Sequence, residues 1–133
     1  MKQISEEYRT GVQLLDEEHA VLLELTEQVE QLFKDENMLF KCADIRKLLG
    51  KLLDYCTGHF ADEEEYLEKI GYAELDKQKA AHAQFEAKLK EFMDRVSQLS
   101  LGTQDDMILE LFQYLQNWLQ VHIKQEDMKY SVK

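Results

Sequence analysis

Proline is absent from this chain of 133 residues, and glycine occurs only 5 times. Sheets and loop-rich domains need more turn punctuation than that, so long helices are expected. Four segments carry the helical period. Leu15, His19, Leu22, Leu23, Thr26, Val29 and Phe33 share one face. So do Ile45, Leu48, Leu49, Leu52, Cys56, His59, Glu63 and Leu67. Gln78, His82, Phe85, Leu89, Phe92 and Val96 form the third stripe, and Ile108, Leu111, Phe112, Leu115, Leu119 and His122 the fourth. These stripes predict helices over about 16–34, 43–69, 74–98 and 104–127. Residues 1–15 are expected to pack as an N-terminal arm, anchored by Tyr8 and Val12. Gly71 stands where a helix C-cap belongs, and Thr103 where an N-cap belongs. Short connections between long amphipathic helices make antiparallel neighbours. The expected fold is all-α: one domain over 1–133, an up-down-up-down four-helix bundle.

The net charge is −11, which disfavours nucleic acids and anionic membranes, since both reward clustered Lys and Arg. No stretch approaches the roughly 20 apolar residues of a membrane span. The first residues lack the apolar core of a secretory signal. Cys42 and Cys56 share one expected helix, about 21 Å apart at its ordinary rise, whereas a disulfide needs Cα atoms within about 7 Å. Reduced thiols in a chain without a leader suggest the cytoplasm.

The apolar stripes are polar at one level. All four histidines lie on them, one per helix, and carboxylates accompany them. His59 and Glu63 are four residues apart and share a helix face. His122 and Asp127 are five apart, about 140° around an ideal helix, so they serve one site only if the helix end loosens. Burying Glu63 and Asp127 among Leu and Phe costs several kcal/mol per ion unless something compensates. A pair of iron or manganese ions would supply that compensation, with imidazole and carboxylate donors converging from four helices.

Asp16-Glu17-Glu18-His19, His59-Phe60-Ala61-Asp62-Glu63-Glu64, His82-Ala83-Gln84-Phe85, and Trp118-Leu119 followed by His122-Ile123 and Asp127 to Tyr130 resemble the hemerythrins. The resemblance spans about Tyr8 to Tyr130 and rests on order and spacing over four helices. It implies a four-helix bundle holding a non-haem di-iron centre that binds O2. It also implies that His19 and His59 hold one iron and His82 and His122 the other. Glu63 and Asp127 would bridge the two, together with an oxo or hydroxo group. Leu119 matches the apolar residue that closes the O2 pocket, and Trp118 and Tyr130 match aromatic supports around it.

The chain departs from that family in the third helix. The family pattern there is His-x-x-x-His, and this chain has Gln78-Lys79-Ala80-Ala81-His82. Gln78 occupies the missing ligand's position, and an amide oxygen is a weak donor. Glu86 lies one turn on the other side of His82, where the family carries an apolar residue. Glu86 is therefore expected to ligate the His82 iron in place of the absent histidine. Tyr66 replaces a family leucine; its ring can face the site, with the hydroxyl bonded to a carboxylate. Cys56 reads as small core filler. Glu17, Glu18 and the rest of the Asp62-Glu63-Glu64-Glu65 run are expected to be solvated, with Glu63 alone turned inward. No inward serine supports a Ser-His-Asp triad, and no phosphate-binding glycine pattern exists.

Two functions are expected to compete. One is an O2 carrier, store or sensor. The other is an enzyme that reduces O2 or peroxide, or handles nitric oxide, with an electron donor as its partner. An anionic Glu86 ligand would favour the ferric state and make O2 binding less reversible.

Overall fold

The computed structural model describes residues 6–132. Four helices carry the fold: α1 (Gln13–Lys34), α2 (Cys42–Lys69), α3 (Leu75–Val96) and α4 (Gln104–Val121). α1 packs on α2 and α4, and α2 packs on α3, with no strand among the described residues. This is the expected all-α four-helix bundle. Apolar side chains at helical spacing meet along its axis. Val29, Ile45, Leu49, Phe92, Ile108 and Leu111 are all sealed from solvent.

The arm and the end of the chain close one end of the bundle. Residues 1–5 of the expected arm lie outside the described residues. Glu6–Tyr8 form a 3-10 turn. The chain then swings through Gly11, whose φ of 89° suits glycine. Asp16 holds this bend by accepting from the Thr10 amide at 2.7 Å, the Thr10 hydroxyl at 2.8 Å and the Gly11 amide at 3.0 Å. α1 accordingly starts at Gln13, inside the segment expected to be arm. Val132 donates its amide to the Thr10 carbonyl at 2.8 Å, pinning the C-terminal segment to the arm.

Gly71 ends α2 as the sequence suggested. Its φ is 67°, and the Tyr72 amide reaches back to the Leu67 carbonyl at 3.0 Å, the six-residue closure of a left-handed cap. Thr103 behaves differently from its expected role. It occupies the N-cap position of α4 but makes no side-chain cap bond. Its hydroxyl instead accepts from the Ser100 amide at 2.9 Å, tightening the loop before it. Buried Gln104 joins the two loops at that end: its Oε1 accepts from the Lys41 amide at 3.0 Å and its amide donates to the Leu39 carbonyl at 2.6 Å. Both cysteines are free thiols; Cys56 is buried in the core, and burial pushes its thiol pKa up.

After Val121 the α-helix gives way to a π-helical turn, His122–Glu126, then a 3-10 turn, Asp127–Tyr130. The Asp127 amide donates to the His122 and Ile123 carbonyls. A π turn bonds residues five apart and brings them much nearer to one face than an α-helix does. The geometry that an ideal helix forbids to His122 and Asp127 is thereby achieved. This is the loosened helix end that the sequence required.

Candidate metal centre

Between two apolar layers lies one polar layer. On one side is the main core, with Leu22, Phe85 and Leu119 one turn from His19, His82 and His122. On the other, Leu15, Leu67 and Tyr130 form a small second cluster that closes the bundle end. His19, His59, Glu63, Gln78, His82, His122 and Asp127 all sit between them and are all buried.

The two carboxylates divide the histidines into pairs. Glu63 Oε2 lies 3.8 Å from His19 Nε2 and 3.5 Å from His59 Nε2. Glu63 Oε1 lies 3.0 Å from His82 Nε2 and 3.9 Å from His122 Nε2. Asp127 repeats the pattern, with Oδ2 at 3.3 Å from His19 Nε2 and Oδ1 at 3.1 Å from His122 Nε2. Each carboxylate thus offers one oxygen to each side. Two groups of donor atoms within 4.8 Å of one another result: His19, His59, Glu63 and Asp127; and Glu63, His82 and His122.

The outer ring nitrogens explain why three of the four Nε2 atoms point inward. His59 Nδ1 lies 3.0 Å from Glu18 Oε1, and His82 Nδ1 lies 2.8 Å from Glu64 Oε2. His19 Nδ1 faces the Tyr8 carbonyl at 3.3 Å. Acceptors at Nδ1 hold the proton there and leave the Nε2 lone pair free for a cation. The rings are also wedged. Phe60 stacks on His82 with centroids 3.9 Å apart, and Trp118 stacks on His122 at 4.3 Å. Glu18 and Glu64 are therefore not the solvated residues expected from sequence. The sequence signal was present: a carboxylate facing a ligand imidazole from a neighbouring turn is the usual partner of metal-binding histidine. Which carboxylate did so depended on helix packing.

The metal-free charge balance is strained. Burial alone would lower the pKa of His19 and His122, but Asp127 and Glu63 beside them outweigh it, raising His19 to about 10 and His122 to about 9. Burial would raise Glu63, yet the facing histidines hold it well below the ordinary carboxylate range. The carboxylates thus favour the charged imidazolium form of both rings. Even so, four buried polar atoms lack a hydrogen-bond partner among the described residues: His19 Nε2, His122 Nε2, Asp127 Oδ2 and Gln78 Oε1. All four belong to this layer. Four orphaned donors and acceptors around one point fit a cation site, because unsatisfied buried polar groups are otherwise rare.

Two expected site residues are placed differently. Glu86 is half-buried and joins neither group of donors. α2 and α3 run antiparallel, so the turn after His82 climbs toward Cys56 and away from Glu63; Glu86 raises the Cys56 thiol pKa from there. Gln78, in the turn before His82, is the residue turned inward, at 3% exposure. Tyr66 packs in the small end cluster, its ring 6.0 Å from that of Tyr130. The hydroxyl that reaches the carboxylates belongs to Tyr130, which donates to Glu63 Oε2 at 2.9 Å. Tyr130→Phe is expected to destabilise the metal-free protein by about 1.5–3 kcal/mol, the range for a hydrogen bond to a charged group. Urea unfolding of the two proteins checks this; equal midpoints would mean that Glu63 needs no such donor.

Leu119 is buried and borders a surface cleft of about 190 Å³, shared with Tyr8, Leu23, Thr26 and Phe112. No helix is long and apolar enough to cross a membrane among the described residues.

Known proteins resemble this chain in sequence and fold. The chain is 30% identical over 125 residues to the bacteriohemerythrin of Clostridium acetobutylicum, covering 94% of this chain and 95% of the relative. It is 32% identical over 108 residues to a hemerythrin-like protein of Naegleria gruberi, covering 81% of each. A crystal structure of wild-type hemerythrin superposes with a TM-score of 0.77 at 23% identity, over 98% of this chain and 95% of the other, which speaks for the fold alone. The family model of the hemerythrin HHE cation-binding domain matches residues 10–132, from the bend beside Asp16 to the segment after Tyr130. With its buried histidine–carboxylate layer inside a bundle of that fold, the chain belongs to the hemerythrin family.

Proposed function

We propose that this protein binds two iron ions in the buried layer and uses them to bind O2. His19 and His59 would hold one ion and His82 and His122 the other, with Glu63 and Asp127 bridging. One observation carries the reading: each carboxylate turns one oxygen to each histidine pair. Such an arrangement suits two ions side by side, each taking one oxygen from a shared carboxylate. When bound, a ferrous pair supplies two electrons that O2 can share reversibly.

The protein's own residues would do the rest. Glu18, Glu64 and the Tyr8 carbonyl fix the imidazoles. Tyr130 holds Glu63 in place. Leu119, Phe60 and Trp118 keep water from the layer. The Leu119 cleft is the route by which a small ligand reaches the His19 side. The enzymatic alternative drew on an anionic ligand from Glu86, and that side chain lies outside both donor groups. O2 binding is therefore the favoured reading, and the cytoplasm its expected setting.

Stopped-flow absorbance of the iron-loaded, reduced protein mixed with O2 tests the proposal. A persistent spectral change that reverses when O2 is purged is expected. Rapid irreversible conversion to a ferric product would instead indicate an oxidase. Leu119→Phe is expected to slow azide binding to the ferric protein by about tenfold or more while leaving iron content unchanged, since the added ring overfills a tight passage. Equal azide rates would place the route elsewhere.

A further inference from the structure

Gln78 makes one hydrogen bond that determines what the rest of its amide can do. Asp127 Oδ1 lies 3.0 Å from the Gln78 amide nitrogen. A carboxylate only accepts, so the amide must turn its N–H to Asp127, and its orientation follows from chemistry. Gln78 Oε1 is then the free end of the amide, buried and without a partner among the described residues. A buried carbonyl left unpaired is costly, because it has given up its hydrogen bonds to water and gained none in return.

The acceptor of that bond is informative. Asp127 Oδ1 is the same oxygen that lies 3.1 Å from His122 Nε2, on the second histidine pair. Gln78 therefore holds a bridging carboxylate by its N–H, as a partner of the ligand. In the two-ion reading the second ion would have His82, His122 and a Glu63 oxygen, with Asp127 Oδ1 turned to the His122 side. So few protein donors would leave room on each iron for a further ligand. On the first ion that room would be on the side of the Leu119 cleft. On the second it would be beside Gln78, whose buried Oε1 is an acceptor without a partner.

Resting on the two-ion reading, we propose that Gln78 is a positioning residue that leaves a second exogenous-ligand position on the ion held by His82 and His122. That position takes a small oxygen ligand carrying a proton, water or hydroxide in the resting protein, which donates to Gln78 Oε1. Both ions then offer a replaceable position, one under an apolar side chain and one under an amide.

The test begins with the iron content of the loaded wild-type chain. A count below two would fail the two-ion reading itself, a separate outcome. With two ions present, a crystal structure of the ferric protein should show a non-protein oxygen on the His82–His122 ion, about 2.7–3.1 Å from Gln78 Oε1. Gln78 Oε1 bonded to the ion at about 2.0–2.2 Å would overturn the proposal. Azide titration of the ferric protein gives a second readout, followed by absorbance. Two azides per iron pair are expected in the wild type and one in Gln78→His, whose imidazole fills the second position. Equal stoichiometry in both proteins would overturn the proposal as well. The crystallographic arm stands even if Gln78→His does not fold.

Discussion

Glu63→Ala is expected to abolish two-ion loading and to destabilise the metal-free protein by about 3–5 kcal/mol, the cost of removing one partner from a buried charge cluster. Glu63 has no solvent exposure and faces all four histidines through its two oxygens. Without it, the protonated His19 and His122 keep only Asp127, and the Tyr130 hydroxyl loses its acceptor. Iron content after reconstitution and urea unfolding of the metal-free protein measure the two effects. Glu86→Ala is the control and should keep both irons, because its side chain joins neither donor group. If Glu86→Ala lost one iron while Glu63→Ala kept two, the placement of the centre would be wrong.

The metal-free protein is expected to lose several kcal/mol of stability as pH rises from about 6 to 10, and the metal-loaded protein to lose little. His19 and His122 have folded pKa values of about 10 and about 9, above an ordinary value of 6.5. A raised pKa means that the folded chain binds the proton more tightly than the unfolded one. Their contribution is therefore complete below about 6.5 and is lost as pH climbs through 9 to 10. Glu63 acts in the opposite sense. Its pKa is held well below 4.5, so its contribution is present above that value and fades as pH falls further. Bound cations replace the two imidazole protons, so loading should release protons near neutrality and remove the alkaline loss. Urea midpoints at pH 6, 8 and 10, with and without iron, measure this. Parallel curves would show that these protons do not balance the buried carboxylates.

Much of this was legible in the residues themselves. Helix period is a local property, and a chain without proline leaves it uninterrupted, so the four stripes and the bundle follow from sequence alone. So does the level of the polar layer, because His19, His59, Glu63, His82 and His122 stand on those stripes. Gly71 was legible too, since a left-handed cap is a local conformation that glycine adopts freely. Other features depended on how the helices pack. Gln78 and Glu86 stand one turn to either side of His82, and helical spacing treats them alike. Only the antiparallel run of α2 beside α3 decided between them: it sets Glu63 near the first turn and Cys56 near the second. The same holds for Glu18 and Glu64, which a charge run disguises as solvated and which reach His59 and His82 across helix boundaries. Asp127 is the clearest case. Its sequence distance from His122 fits no α-helical face, and the π turn that brings them together is not announced by the helical period. Local periodicity determined which residues could face inward. Contacts between helices, which no window of sequence contains, decided which of them met.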